Sequence, residues 1–369
     1  MACACPAPAH DPSAWGGLFR SRDDGAAWLP ADGGLFVGSA LAIAVSPTDA
    51  NHLLYATDSQ LLRSRNAGRD WETEAPQLFR GPTLAVAFAR DGKNAWAATP
   101  AGVFVADEST WKKSDVPDAA IPGRALAAGL QPDRVYLQGA RGLYASSDRG
   151  RKFVRVGQDD LPDAAGRALV VVAAETEKVF AVFGGRIWAS EDGGKSWERR
   201  DAGLPQGKVE TLAADRDQRS RLWAASSNQV HVSDDLGASW RDWGKPIGDG
   251  TFTVQGLATA RAGAVIVLTT HKGLLRSADS GSTWVQLEGA LPVHLEAGPL
   301  VHDPHDAPTL YAGFSLVPYA ELWRRAEQGT NLLSQLDPVS VAGAGAFLLL
   351  LLIGGWLGAR RLAHAYRDV

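Results

Sequence analysis

Ser21-Arg22-Asp23-Asp24-Gly25-Ala26-Ala27-Trp28 is the stretch on which the reading of this chain turns. Its pattern, Ser-x-Asp-x-Gly-x-x-Trp, returns intact as SEDGGKSW (190–197), SDDLGASW (233–240) and SADSGSTW (277–284). Near-copies are SRNAGRDW (64–71), with Asn66 for Asp, and SSDRGRKF (146–153), with Phe153 for Trp. ADESTW (106–111) reads as a shortened copy, and RAEQGTNL (325–332) as a decayed one. The copies that begin at 21, 64, 146, 190, 233, 277 and 325 lie 43, 82, 44, 43, 44 and 48 residues apart. The step of 82 holds two units, with the shortened copy between them. A phase kept along the whole chain marks an internal repeat.

The chemistry of the motif is that of a hairpin turn. Its carboxylate (Asp23, Asp148, Asp192, Asp235, Asp279) or amide (Asn66) accepts bonds from turn amides. Its glycine (Gly25, Gly68, Gly150, Gly194, Gly237, Gly281) supplies positive φ. Its tryptophan (Trp28, Trp71, Trp197, Trp240, Trp284) covers the hairpin with apolar area. Short alternating runs precede the copies, as Gly17-Leu18-Phe19-Arg20 precedes Ser21. Each period holds two further strand signals: a small apolar run such as Leu41-Ala42-Ile43-Ala44-Val45, and a second such as Leu54-Tyr55-Ala56. Four strands per roughly 43 residues make a propeller blade. The predicted fold is all-β, a seven-bladed propeller of four-stranded antiparallel blades, with eight partial blades as the alternative. The hairpin from Trp15 to Pro30 is left over and is expected to complete the last blade.

On these boxes the chain resembles the BNR/Asp-box repeat β-propellers over 15–336. That superfamily includes sialidases, xyloglucan-cleaving hydrolases, sortilin-type receptors and the photosystem II assembly or stability factors. The chain is closest in character to the last of these. The resemblance implies the fold and, for function, a scaffold, assembly or stability factor. A receptor-like binder of extracellular ligands is the alternative, and a glycoside hydrolase the third. The Phe/Tyr-Arg-Ile-Pro signature of sialidases is absent before the first box, where Ser13-Ala14-Trp15-Gly16-Gly17-Leu18 stands. No pair of acids recurs in the pore loops, and no catalytic residue or cofactor is assigned.

With 37 Lys+Arg against 41 Asp+Glu, the net charge of −4 argues against nucleic acid as partner. Cys3 and Cys5 sit at the N-terminus, so the propeller has neither a disulfide nor a thiolate metal cage. Residues 339–359 run 21 positions without a charge, after Asp337 and Pro338 as cap and first turn. The reading is a transmembrane helix over 338–359, with Gly354 and Gly358 able to seat a partner helix. Arg360, Arg361 and Arg367 in the tail 360–369 place the C-terminus in the cytoplasm and the propeller outside the inner membrane. Ala7-Pro8-Ala9 reads as the end of a signal peptide, making 1–14 a leader.

Two constellations have residue types suited to chemistry. His302-Asp303-Pro304-His305-Asp306, with His294 near, has metal-ligand residue types but aligns with an Asp-Pro turn. The loops entering the innermost strands align Ser39, Pro82, Arg124, Arg167, Glu210, Gln255 and Gly298 at one position. Two residues earlier stand Arg80 and Lys208. Arg80, Arg124, Arg167 and Lys208 are therefore expected as a basic arc at the pore mouth, with Glu210 as a possible ion-pair partner. Such an arc suits a carboxylate-bearing segment of an integral membrane protein or complex.

Overall fold

The computed structural model describes residues 16–328, apart from 108, 109, 175, 249, 251, 270, 271, 289 and 290. The described residues form seven four-stranded sheets, all antiparallel and six of them built from four consecutive strands. Blade 1 runs Ala40–Val45, Leu53–Thr57, Leu61–Ser64 and Glu72–Thr73 from axis to rim. Blades 2 to 6 repeat that order, their inner strands being Ala85–Phe88, Ala125–Ala128, Gly166–Ala173, Val209–Ala214 and Val254–Thr259. Blade 7 takes its inner strands, Glu296–His302 and Leu310–Ser315, from the end of the propeller and its outer ones, Gly17–Ser21 and Leu29–Pro30, from the beginning. The register runs from Gly17↔Phe314 to Ser21↔Leu310. The N-terminal hairpin completes the last blade as expected, and the eight-blade alternative is set aside.

Seven apolar clusters fill the seven junctions between neighbouring blades. Leu54, Phe79, Phe88 and Trp111 join blades 1 and 2, for example. Leu18 and Tyr311 of blade 7 meet Leu53 and Tyr55 of blade 1, and this contact shuts the ring. The middle strands alternate between two such clusters, so both their faces are buried, as in Leu222–Ser226. The inner strands behave differently: every residue of Ala125–Ala128 is half-buried, one face lining the axial pore. Small side chains are needed there because seven strands converge.

The boxes work as their residue types dictate. Ser21 Oγ donates to Asp23 Oδ1 at 2.8 Å and accepts from Gly25 N–H at 2.9 Å. Asp23 Oδ1 accepts from the amides of Ala26 and Ala27 at 3.1 and 2.9 Å. Gly25 and Asp24 both take left-handed backbone, φ 76° and 58°, which turns those amides inward. Asn66 keeps the acceptor and so the turn: its Oδ1 accepts from Arg69 and Asp70 N–H at 3.1 and 2.9 Å. Trp28 and Trp197 donate within their own boxes, to Gly25 O at 3.1 Å and Gly194 O at 3.0 Å. Trp71 and Trp240 reach into the preceding unit instead, onto Ala31 O at 2.9 Å and Arg200 O at 2.7 Å. The bonds to Asp279 from Thr283 hold its carboxyl down at about 2, and Asp148 and Asp235 are likewise lowered, their box bonds outweighing burial.

Ser233 gives a test of this role. It is buried, its Oγ accepting from Gly237 N–H and donating to Asp235, both at 2.7 Å. Ser233→Ala leaves a buried amide without a partner and should cost about 1–3 kcal/mol, read as a fall in the urea midpoint. An unchanged midpoint would remove the box hydroxyl from the account of stability.

One box reading is corrected. Residues 325–327, taken as the start of a decayed copy, belong to a helix, α1 (Tyr319–Glu327). The first half of that stretch, RAEQ, has no turn former, and Glu321 bonds Arg324 and Arg325 at 2.6 and 2.7 Å along the helix face. Blade 7 needs no closing hairpin there, because the N-terminal one occupies the place. Among the described residues no helix is long and apolar enough to cross a membrane. The leader 1–14, the span 338–359 with Gly354 and Gly358, and the tail 360–369 lie outside the described residues.

Candidate functional site

The inner strands begin at one end of the pore, and at that end five of them carry a bulge. The register slips between Ala40 and Ala42, Gly166 and Ala168, Val209 and Thr211, Val254 and Gly256, and Ala297 and Leu300. The residues left without a cross-strand partner are Leu41, Arg167, Glu210, Gln255 and the pair Gly298-Pro299. A bulged residue is freed from the pleat and re-aimed. All of these residues line one cavity of about 820 Å³ at the pore mouth. The repeated bulge is thus what builds the site.

Arg124 joins them from blade 3, where no bulge is needed because the residue precedes its strand, tied by its N–H to Gln138 O at 2.7 Å. A further wall is α1, which contributes Tyr319, Ala320, Trp323, Arg324 and Glu327. Tyr319 anchors the helix: its hydroxyl donates to Ala40 O at 2.6 Å and its N–H to Glu296 Oε2 at 2.7 Å. Gly298 is required by this packing, since a Cβ there would sit 1.7 Å from Tyr319 Oη. Burial pushes the Tyr319 hydroxyl well above its ordinary value, with Glu296 and Asp58 adding to the effect.

The electrostatics are paired rather than open. Arg167 forms an ion pair with Glu210, as the alignment allowed. Arg124 pairs with Glu327, and its guanidinium lies 4.9 Å from the ring centre of Trp323. Arg124 Nε is buried and has no hydrogen-bond partner among the described residues. Glu296 is held by Gln255 at 2.7 Å as well as by Tyr319. Within the described residues α1 thus supplies Arg124 with both a carboxylate, Glu327, and a ring face, Trp323.

The structure brings Arg124, Arg167 and Glu210 together and leaves Arg80 and Lys208 outside the lining. Arg80 is exposed and bonds back to Pro76 O at 3.2 Å, and Lys208 is exposed. In blade 1 the lining residue is Leu41 rather than Ser39, which is buried and bonded to Ser315 Oγ at 2.6 Å. Leu41 stands 23 residues before Ser64, as Arg167 stands before Ser190 and Glu210 before Ser233, so distance to the box marks it where the strand-start spacing pointed two residues early. Glu327 falls inside 325–332, read as a decayed box, and Trp323 lies just before that copy in no motif.

The His-Asp stretch is a turn. Asp303 Oδ1 accepts from His305 N–H at 2.8 Å, and Asp306 Oδ2 from the Thr309 hydroxyl at 2.7 Å. His305 Nε2 meets Ser46 O at 2.8 Å, and His294 is exposed. Among the described residues no three His, Cys, Asp or Glu side chains are grouped to hold a metal ion.

No family model matches the chain. A xyloglucanase of Hypocrea jecorina (strain QM6a) is 24% identical over 282 residues, 68% of this chain and 31% of its own. A xyloglucanase of a Paenibacillus species is 25% identical over 244 residues, 61% of this chain and 23% of its own. The chain thus spans less than a third of the length of these curated relatives. The solved structure of YCF48 bound to D1 peptide aligns with TM-score 0.58 and 16% identity, covering 85% of this chain and 99% of that one. YCF48 from Cyanidioschyzon merolae gives 0.59 and 15%, over 76% and 97% of the two chains. The GH74 xyloglucanase from Xanthomonas campestris gives 0.54 and 18%, over 73% of this chain and 51% of its own. At these identities the likeness bears on the fold alone, which in this chain is a seven-bladed β-propeller.

Proposed function

We propose that this propeller is a non-enzymatic protein-binding module, an assembly or stability factor or accessory subunit of a membrane protein complex. Its pore mouth holds a carboxylate-bearing segment of that partner on Arg124, beside Arg167. The observation that carries this reading is the occupation of Arg124 by Glu327 and Trp323 of α1, with Nε still lacking an acceptor. A site that already seats an acidic, aromatic helix has the chemistry to seat another. A neighbour of the same fold has been solved with a peptide bound, which supports peptide binding as a use of the fold. The uncharged stretch 339–359 favours a membrane-embedded partner on the same bilayer, with the propeller outside the inner membrane.

The xyloglucanase relatives favour a second reading, hydrolysis of a β-glucan. The pocket offers it little: Glu210 and Glu327 are each paired with an arginine, and Glu296 with amides. A glycosidase acid needs a carboxyl kept protonated. The described carboxylates that burial pushes upward, Asp32 and Asp58, lie outside this lining.

The test is purification of the full chain from its own membranes in mild detergent, with Arg124→Glu/Arg167→Glu alongside. A stoichiometric integral-membrane partner, recovered at least tenfold less with the variant, is expected from lost charge-assisted bonds. Recovery of the propeller without a partner, or release of oligosaccharide from xyloglucan, would overturn the reading.

A further inference from the structure

A second cleft, of about 700 Å³, lies at the rim where blade 2 meets the box of blade 3. It forms where blade 2 lost its box: the hairpin between Gly102–Asp107 and Thr110–Lys113 is too short for the Ser-x-Asp-x-Gly turn. The outer strand there reads Thr-Trp-Lys-Lys, and the facing box, Asp148-Arg149-Gly150-Arg151-Lys152, carries more cations than any other box. Five cations therefore line the cleft, Lys93, Lys112, Lys113, Arg149 and Arg151, against one acid, Asp107.

Arg149 is preorganised. Its backbone is left-handed, φ 66°, and its carbonyl accepts from Trp96 Nε1 at 2.8 Å. Its guanidinium donates to Asn94 Oδ1 at 2.7 Å and to Asp91 at 3.3 Å, and the buried Asn94 is itself fixed on Ala106 O at 2.9 Å. Asp115 pairs with Lys152, outside the lining. Lys93, Lys112, Lys113 and Arg151 are exposed and form no ion pair among the described residues. Among the described residues only Asp107 faces these charges in the lining, so the cleft is strongly basic.

The walls say which anion. Among the described residues no aromatic ring lines the cleft, and Val105 is the one large apolar side chain. A peptide or a nucleobase would find no apolar anchor there. Converging ammonium and guanidinium groups in a polar concavity suit phosphate oxygens. We propose that this cleft is a site for a compact multivalent phosphate, two or more linked or neighbouring phosphate groups, free or on a lipid headgroup. It is separate from the pore mouth and shares none of its residues.

Calorimetric titration of the full chain with tripolyphosphate and with orthophosphate, at about 50 mM salt, tests the proposal. Vesicles with and without phosphatidylinositol bisphosphate form the second arm. Tripolyphosphate should bind one to one, at least tenfold tighter than orthophosphate, and Lys112→Glu/Lys113→Glu should weaken it at least tenfold. Lys245→Glu, an exposed charge on another blade, should leave it unchanged. Thermal midpoints confirm that both variants fold. Saturable vesicle binding that needs the lipid phosphates and Lys112/Lys113 assigns the lipid source, and soluble binding alone assigns the free one. No saturable binding of either probe, or equal losses in the two variants, would overturn the proposal.

Discussion

Phe19→Ala should destabilise the propeller by about 3–5 kcal/mol, the range for emptying a buried aromatic site. Phe19 is 2% exposed and packs edge-on against Phe314, with ring centres 5.3 Å apart. Around it lie Trp28, Ile266, Leu274 and Leu310, from both sides of the junction between blades 6 and 7. The residue also sits on the strand that shuts the ring, paired with Ala312 on one side and Pro30 on the other. Its loss therefore weakens the one blade built from both ends of the propeller. A single domain is stable by about 5–15 kcal/mol, so the variant should show a large drop in urea midpoint. Its amide exchange should rise first in 310–315. Leu29→Ala, in the same hairpin but 70% exposed, should change the midpoint little. Equal midpoints for Phe19→Ala and wild type would mean that the hairpin does not close the ring.

Acid should weaken the fold through two partly buried histidines. Burial holds His52 at about 4, helped by Arg63, whose Nη1 lies 2.8 Å from His52 Nε2. Burial also holds His302 at about 4, helped by Arg216, whose Nη1 lies 3.3 Å from His302 Nδ1. Arg216 donates to Nδ1, so Nε2 carries the neutral ring's proton, and a second proton could enter only at Nδ1, against the guanidinium. In the unfolded chain each imidazole takes its proton near 6.5, and in the fold only near 4. Between those values the unfolded state binds more protons, so stability falls as pH falls. Each histidine contributes on the order of 1–3 kcal/mol, less for the half-exposed His52 than for His302, present above pH 6.5 and lost on the way to pH 4. Asp32 and Asp58 work the other way, because burial raises them and their protonation favours the fold. The net expectation is a urea midpoint markedly lower at pH 4.5 than at pH 7. The double variant His52→Gln/His302→Gln should flatten that slope, and an unchanged slope would assign the acid sensitivity elsewhere.

The architecture was legible because the box is a local device. Ser, Asp and Gly at fixed offsets satisfy their own amides, so the turn needs nothing from the rest of the chain. Counting copies gave the blades, and the unmatched Trp15 to Pro30 hairpin gave the closure. The same logic misled at 325–327, where a spacing argument outweighed helix-forming composition. The site was only partly legible. Arg124, Arg167 and Glu210 could be aligned by the repeat, but a fixed interval carried back through blade 2, whose box is shortened, pointed to Ser39 where Leu41 lines the pocket. Arg80 and Lys208 lie two residues away on loops whose direction only the tertiary structure fixes. The cap supplied by α1 comes from outside the repeat and follows no periodicity. The basic cleft of blades 2 and 3 depends on a junction between units that no single repeat displays.

The central claim is that the pore mouth, guarded by α1, is where the partner sits. Site-specific photo-crosslinking in native membranes tests it most directly, with a benzophenone amino acid at Leu41, on the pocket wall, or at Lys195, on an exposed box turn. The account predicts a cross-link from position 41 to one integral-membrane protein, lost with Arg124→Glu/Arg167→Glu, and none from position 195. Cross-linking from position 195 alone, or from position 41 undiminished by the charge reversals, would contradict it.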